Sequence, residues 1–473
     1  MAEPDTLTIS GGGSIAVGTE ELFAAVARLR AVEDELAAHL RDLAGIERLV
    51  TSGQLNTIHA PAAATVAERA MDDAARLLAR AHAHSGLLGT ALTRSADAYG
   101  LAERASTSLA EAAAARIAYA LGFALPVIAG ELLPVIVVLG LAIGIGYHFA
   151  SEQERKNVAG WLKKHLPVLS DPGFVSFVRL TVNSVDDFVG GAFHAPPGVG
   201  AALTATGLAG VASSAGVIVG VGSSVGLLTE TAVTTSRVST TAGGTLPTGW
   251  ESRADRVPHS TAANAPQVRI DRYSMPGSED RFEVYVSGTK DFALGHDSEP
   301  WDMTSNMNGI AGGDPASVRA VEDAMKQAGI TESSPVLFTG HSQGGLVTAI
   351  IAGSGDYNTK GLYTLGAPAG QASVPTEVPW IAVQHTNDIV PALSGDFAHS
   401  DPVLVERQLS SEQLATIDKY FPSHQLGAYE STAKVLDTST EPRVLTVDAA
   451  FNAFTRGATP VESSTWVSVR KAG

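Results

Sequence analysis

A serine enclosed by small residues is the clearest candidate nucleophile in the chain. Ser342 lies in the segment GHSQGG at 340–345, which contains the pattern G-x-S-x-G. The apolar run 335–339 precedes this segment and the apolar run 346–352 follows it. The order predicts a strand, a tight turn and a helix, in which the turn lifts the serine hydroxyl above the sheet and the glycines avoid collisions. Ser342 is therefore the predicted nucleophile.

A serine hydroxyl reacts poorly near neutral pH, so a histidine must accept its proton and a carboxylate must orient that histidine. Asp388 comes shortly after the predicted strand 380–384, and in open α/β sheets ligands bind at such strand ends. Glu377 lies before that strand, and Asp396 and Asp401 lie further along the loop. These three are interpreted as surface charges, and Asp388 as the acid.

Three histidines, His385, His399 and His424, follow the strand 380–384. His385 directly follows this strand, so it would point along the strand end and would not come from the next loop. A strand-like run at 403–408 and a short helical segment near 411–419 come before His424, so His424 arrives on a new loop over the sheet. We predict His424 as the base and keep His399 as the alternative, while either residue could also be an ordinary surface histidine.

A tetrahedral intermediate needs fixed donors for its oxyanion, usually two main-chain N–H groups. One is expected from Gln343, the residue after the nucleophile, at the start of its helix. The predicted strand 282–287 ends in Gly288 and Thr289, and Gly288 lets the backbone turn so that the N–H of Thr289 faces the site. The alternative for this segment is an ordinary β-turn.

Composition excludes several other kinds of site. The chain has no cysteine, so it holds no disulfide, no thiolate nucleophile and no Cys-ligated metal. Its histidines show no H-E-x-x-H spacing, and neither a metal nor a cofactor is predicted. The chain has 49 acidic and 32 basic residues and a net charge of −17. A nucleic-acid partner would be repelled and is not expected.

The elements that must position these residues lie in the last part of the chain. From Val268 onwards, short β-type runs alternate with helical segments. This alternation predicts a mainly parallel sheet covered by helices on both faces. We assign residues 267–473 to this α/β domain. Residues 231–266, rich in Thr, Ser, Gly and Pro, are interpreted as a linker.

The N-terminal part is predicted to be all-α. Apolar residues at helical spacing predict a helix over 19–49, and residues 64–118 form a second helical stretch after a turn at 52–61. The two would make an antiparallel hairpin, which bounds a first domain at 1–118. We expect no secretory signal peptide here, because residues 1–5 are acidic and lead into a glycine-rich stretch.

Residues 119–230 are apolar and rich in glycine and alanine. Leu132–Ala150 fits one membrane span, and Val199–Leu228 carries small residues that allow close helix packing in lipid. Basic residues in 151–165 would stay on the cytoplasmic side. We predict a membrane hairpin and a location at the cell envelope or outside the cell. The alternative is a soluble, buried helical hairpin.

The motifs in the last domain resemble those of class 3 lipases. In the order of that family, the chain shows VSGT at 286–289, GHSQGG at 340–345, YTLGAP at 363–368, DIVP at 388–391 and then His424. The resemblance covers about residues 268–450 and implies an α/β-hydrolase fold. It implies Ser342, Asp388 and His424 as the triad and Thr289 with Gln343 as oxyanion donors. Gln343 stands where many members carry Leu, and the disulfides of secreted fungal members are absent.

The N-terminal hairpin resembles, more loosely, the helical hairpins of actinobacterial type VII secretion substrates. Tyr99 and Glu103 fit the Y-x-x-x-[D/E] export pattern of that group, although the turn lacks Trp-x-Gly. This resemblance implies a secretion-system partner. The alternative is an ordinary helix face, because Tyr and Glu four residues apart are frequent by chance.

Together these features predict a serine hydrolase that cleaves carboxylic esters, those of lipids in particular, through an acyl-enzyme. An acyltransferase would use the same triad and is not separated from a hydrolase by sequence. A different class of alternative is a non-enzymatic membrane or interaction protein in which the hydrolase domain is a scaffold, since fold does not determine function.

Overall fold

The computed structural model describes residues 7–12, 16–51, 69–82, 169–183, 211–224, 227–259, 262, 265–291, 298–417 and 421–471. The chain divides into two compact units. One is Gly13–Glu111, and the other combines Met1–Gly12 with Ala112–Gly473. The predicted site residues all belong to the second unit.

Within the described residues, nine strands form a single sheet. Their bounds are β1 Leu7–Gly11, β2 Val233–Ala242, β3 Val268–Ser274, β4 Arg281–Val286, β5 Val336–His341, β6 Thr359–Leu365, β7 Trp380–His385, β8 Val403–Arg407 and β9 Thr459–Arg470. The order across the sheet is β1-β8-β7-β6-β5-β4-β3-β9-β2. Strands β4 to β8 run parallel, and the pairs at both edges are antiparallel.

The described residues include the helices α1 Ala16–Thr51, α2 Pro172–Asn183, α3 Val211–Ser224, α4 Trp250–Ala254, α5 Met303–Ile310, α6 Ala316–Gln327, α7 Gln343–Ser354, α8 Ile389–Ala392, α9 Ser411–Ala415, α10 Leu426–Leu436 and α11 Pro442–Thr455, besides the helical residues 69–82. A 3₁₀ turn at Pro422–His424 precedes α10. The predicted alternation of strands and helices from Val268 onwards is confirmed.

Successive side chains of a strand point to opposite faces of the sheet, and the central strands use both faces. In β5, Phe338 contacts one apolar cluster and Leu337 contacts the other. The first cluster includes residues of α6 and α7, and the second includes residues of α4, α10 and α11. Helices therefore cover both faces of the sheet, an arrangement of the α/β class. The G-x-S-x-G motif lies at the carboxyl end of β5, one of the parallel strands.

Two segments differ from the sequence predictions. The N-terminal region is not all-α, because β1 pairs with β8 over Leu7–Gly11 and Val403–Arg407. The predicted linker 231–266 contains β2, which pairs with β9, and the helix α4, whose Trp250 is buried. The Ser and Thr residues that made β2 look like a linker are accommodated because most of this edge strand is exposed.

The remaining N-terminal predictions are tested only in part. The predicted helix 19–49 lies within α1, and residues 69–82 are helical. The turn 52–61, the span 132–150 and the Tyr99–Glu103 pattern lie outside the described residues. Across the described ranges, every helix is too short or too polar to cross a membrane. The envelope location and the secretion partner stay predictions.

Candidate active site

Ser342 occupies a strained turn between β5 and α7. Its backbone has φ 54° and ψ −124°, a conformation that non-glycine residues rarely adopt. The glycines on either side make this turn possible: a Cβ on Gly340 would lie 2.3 Å from the carbonyl oxygen of Gly344, and one on Gly344 would lie 2.2 Å from that of Val286. The main-chain N–H of Ser342 donates to Leu365 on the next strand, at 2.8 Å. The turn is thus fixed against both neighbouring strands.

The structure brings the three predicted triad residues together. The Nε2 atom of His424 lies 2.7 Å from Oγ of Ser342, and its Nδ1 atom lies 2.6 Å from Oδ2 of Asp388. With the proton on Nδ1, His424 donates to Asp388 and accepts from the Ser342 hydroxyl. Asp388 and Ser342 are buried, and the His424 side chain is 13% exposed. This geometry allows a proton to pass from serine to histidine.

Asp388 is held as a buried carboxylate. Its Oδ2 accepts a hydrogen bond from the Tyr429 hydroxyl at 2.7 Å, and its Oδ1 accepts from the N–H of Val390 at 3.0 Å. Burial would raise the pKa of Asp388, but His424, followed by the bonds from Tyr429 and Val390, outweighs burial and lowers the pKa below its ordinary value. Asp388 therefore stays charged and can stabilise a positive His424.

Two further histidines fix the backbone that carries His424. His341 Nε2 lies 2.9 Å from the carbonyl oxygen of His424, and His385 Nδ1 lies 2.6 Å from that of Ser423. Burial, the largest effect on each, lowers the pKa of His341 to about 3 and that of His385 to about 4. Both rings are neutral near pH 7, so each donates its single N–H to the carbonyl and thereby has a defined tautomer. The Nε2 of His385 then accepts from Thr432, at 2.8 Å.

Tyr429 connects the acid to one of these histidines. Its ring stacks on His385 with centroids 4.0 Å apart and planes 12° apart, and its oxygen accepts the main-chain N–H of His385 at 3.3 Å. Gly366, at φ 59°, leaves room for the tyrosine, because a Cβ there would lie 2.7 Å from the ring. The buried hydroxyl of Tyr429 thus donates one hydrogen bond, to Asp388, and accepts another, from the main-chain N–H of His385.

The predicted oxyanion donors, Thr289 and Gln343, lie just after β4 and at the start of α7. A Cβ on Gly288 would lie 3.0 Å from Cβ of Ser342, so the backbone leading to Thr289 passes directly beside the nucleophile. Gln343 is the first residue of α7, where a main-chain N–H has no partner within the helix. The side chain of Thr289 accepts a hydrogen bond from Asn306 at 3.0 Å.

The other acidic and histidine candidates lie apart from the triad. His399, Glu377, Asp396 and Asp401 are exposed. It is His424, rather than His399, that contacts Ser342. His385 instead binds the main-chain carbonyl oxygen of Ser423, the residue before His424.

Among the described residues, Asp255, His259 and Glu430 form a group of potential metal ligands, whose ligand atoms lie within 4.8 Å of one another. The Nε2 of His259 lies 3.1 Å from the Glu430 carboxylate, so these two side chains already contact each other directly. No triad residue belongs to this group. The three side chains around Ser342 place a hydroxyl, an imidazole and a carboxylate in one chain of hydrogen bonds.

Four residues of the site were not assigned a role by sequence reasoning: His341, His385, Tyr429 and Asn306. The first two stand next to the motif serine and next to the acid loop, so their positions could have marked them. Tyr429 and Asn306 carry no such signal, because their partners are distant in sequence.

Comparison of the chain with models of protein families, with curated proteins and with solved structures finds no match. The interpretation of the site therefore rests on its own geometry.

Proposed function

We propose that the protein is a serine hydrolase of carboxylic esters with an α/β-hydrolase fold resembling that of class 3 lipases. The observation that carries this proposal is the relay Ser342, His424, Asp388, with its two hydrogen bonds of 2.7 and 2.6 Å. The strained backbone of Ser342 supports it, because such strain persists mainly at functional sites.

In the first half-reaction, Oγ of Ser342 attacks the ester carbonyl carbon while Nε2 of His424 takes the hydroxyl proton. The negative charge that develops on the carbonyl oxygen is stabilised by the N–H groups of Gln343 and Thr289. When the intermediate collapses, the carbon–oxygen bond to the alcohol breaks, and His424 returns its proton to the leaving alkoxide. The products are an acyl-serine and a free alcohol.

In the second half-reaction, a water molecule replaces the alcohol beside His424. His424 takes one proton of this water as its oxygen attacks the acyl carbon, and the second tetrahedral intermediate uses the same oxyanion donors. Collapse breaks the bond to Oγ, and the proton returns to Ser342. Asp388 stays ionised throughout and stabilises the positive charge on His424, consistent with its lowered pKa.

Two apolar clusters beside the site favour an apolar ester such as a lipid. On the acid side, α2 packs on α8 directly after Asp388, and the partly buried side chains of Phe174, Val390 and Phe421 join this cluster. On the oxyanion side, Leu227 and Leu228 pack against Met303 and Met307 of α5. Acyl chains gain about 0.8 kcal/mol per buried CH₂ group, so the partly buried side chains of the two clusters would favour chains over small polar groups.

The test uses the full chain, a fluorophosphonate probe and p-nitrophenyl esters of two to sixteen acyl carbons. We expect labelling and hydrolysis by the wild type and loss of both in Ser342→Ala, with faster turnover of longer esters. Ser354→Ala is the matched control, because Ser354 is an exposed serine at the far end of the same helix α7. Equal labelling of Ser342→Ala and the wild type would refute the proposed nucleophile.

A further inference from the structure

Helix α2 packs on the segment that carries the acid of the triad, although it comes far earlier in the chain. This segment, residues 386–396 after β7, is called the acid loop. Val175 and Val178 of α2 are buried in an apolar cluster. Ile389 and Ala392, which belong to α8 within the acid loop, are buried in the same cluster. Residues from outside the predicted α/β domain therefore cover one side of the acid loop.

The packing of α2 on α8 bears directly on the orientation of the acid. Asp388 is the N-cap residue of α8, and its Oδ1 accepts the main-chain N–H of Val390 at 3.0 Å. Ile389 lies between these two residues, and its side chain is buried in the cluster with α2. A shift of α8 would move the donor of this hydrogen bond together with Ile389. Contacts with α2 therefore help to fix the carboxylate.

The same cluster reaches the turn that carries the base. Phe421, which packs against this cluster, comes directly before the turn Pro422–His424, and its carbonyl oxygen accepts the main-chain N–H of His424 at 2.9 Å. The backbone of Phe421 lies in the left-handed region, with φ 52° and ψ 63°. A phenylalanine keeps such a conformation only where its surroundings fix it. Helix α2, the acid loop and the base turn thus meet in one apolar cluster.

Polar side chains of α2 hold the acid loop near both of its ends. Before the loop, Arg179 donates to Oε1 of Gln384 in β7 at 2.9 Å. At the far end, Asn183 donates to the Asp396 carboxylate at 2.7 Å and accepts the main-chain N–H of Asp396 at 2.9 Å. Gly395 makes this last contact possible, because a Cβ there would lie 2.3 Å from Oδ1 of Asn183. The helix thus makes contacts before, within and after α8.

We propose that α2 is a positioning element of the triad, in which Val175 and Arg179 hold the acid loop against the base turn. In this position, Nδ1 of His424 and Oδ2 of Asp388 keep their separation of 2.6 Å. The active site therefore depends on a helix that lies outside residues 267–473. This inference rests on the proposed function, since it assigns to α2 a task in the same proton relay.

The experiment is a double-mutant cycle on the full chain with the short ester p-nitrophenyl butyrate. Val175→Ala opens space beside α8. It should lower kcat by about tenfold and keep KM within about twofold of the wild type, because a misplacement of about 1 Å can cost about 100-fold in rate. Asp388→Asn removes the group that α2 positions. In that background, measured in single turnovers at high enzyme concentration, Val175→Ala should have almost no further effect.

Val444→Ala is the matched control. Val444 is as completely buried as Val175 and also lies on a helix, α11, but it belongs to a different apolar cluster. Its truncation should lower the melting temperature by a comparable amount and leave kcat within about twofold. If Val175→Ala does not fold, Arg179→Met replaces it, since it keeps the length of the side chain and removes the bond to Gln384. The expected loss in kcat is then about threefold and should also vanish in Asp388→Asn.

A wild-type kcat for the α2 variant would overturn the inference, and so would the same fractional loss with and without the Asp388 carboxylate. An equal loss of kcat in Val444→Ala would also overturn it, since truncation of any buried valine would then slow the reaction. Ser342→Ala separates the two levels. Hydrolysis retained in Ser342→Ala refutes the proposed function itself, whereas an inactive Ser342→Ala beside a fully active Val175→Ala refutes the inference alone.

Discussion

Replacing Tyr429 by phenylalanine tests whether the Tyr429 hydroxyl stabilises the carboxylate of Asp388. The change removes one hydroxyl that makes two hydrogen bonds, one to the Asp388 carboxylate at 2.7 Å and one from the main-chain N–H of His385 at 3.3 Å. A hydrogen bond to a charged group contributes about 1.5–3 kcal/mol, and a buried N–H without a partner costs about 1–3 kcal/mol. We expect the free energy of unfolding to fall by about 3–5 kcal/mol.

The same substitution should also slow the reaction. Without the tyrosine proton the pKa of Asp388 rises, since this bond is one of those that lower it. The remaining contacts, Val390 and His424, still orient the carboxylate, so we expect a loss of about tenfold in kcat rather than loss of activity. Urea unfolding and ester hydrolysis, measured on the same preparations, give both quantities.

Tyr363→Phe is a closely matched control. Tyr363 is as completely buried as Tyr429 and lies on β6, but its hydroxyl has no hydrogen-bond partner among the described residues. Its removal should leave the free energy of unfolding unchanged or raise it slightly. Equal effects of the two substitutions would show that burial, and not the bonds of Tyr429, determines the loss, and the reasoning about the acid would be refuted.

Two further predictions concern the neutral histidines and the turn glycines. The free energy of unfolding should fall by about 4 kcal/mol between pH 7.5 and pH 5, because His341 and His385 take up protons near pH 6.5 when unfolded but only near pH 3 and pH 4 when folded. In His341→Gln about half of this dependence should vanish from urea titrations, and an unchanged slope would contradict the assignment. Gly344→Ala should lower stability by at least about 3 kcal/mol, because its Cβ would meet a carbonyl oxygen at 2.2 Å. Gly427→Ala, whose Cβ would meet nothing closer than 3.8 Å, should leave the melting temperature unchanged or higher, and equal melting temperatures for the two variants would contradict the steric argument.

The sequence was sufficient for the central strands and for the position of the serine. Parallel strands covered on both faces are nearly continuous apolar runs, and β5 and β7 are buried along their whole length. The G-x-S-x-G pattern is local, so its turn is readable from adjacent residues alone. The carboxyl ends of such strands also converge by topology, which is why Asp388 could be chosen among four acidic residues.

The edge strands of the sheet, and the contacts that hold Asp388 and His424 in place, could not be derived in this way. Strand β2 alternates between Ser, Thr and Val without an apolar face, and β1 is only five residues long. Such edge strands are specified by their partners, which lie far away in the sequence. The neutral state of His341 and the bonds of Tyr429 likewise depend on burial created by tertiary packing. The amino-acid sequence alone does not show which residues this packing will bury.

The pairing of β1 with β8 affects the order in which the protein can be completed during synthesis. Leu7 pairs with Arg407, 400 positions later. At roughly 5–20 residues per second, the ribosome takes about 20–80 s to reach the partner strand. During this interval the first strand has no template, and the unit Gly13–Glu111 emerges and can fold. The sheet is therefore closed late at this edge, and in a growing chain the backbone of β1 stays without its partner strand until β8 has been made.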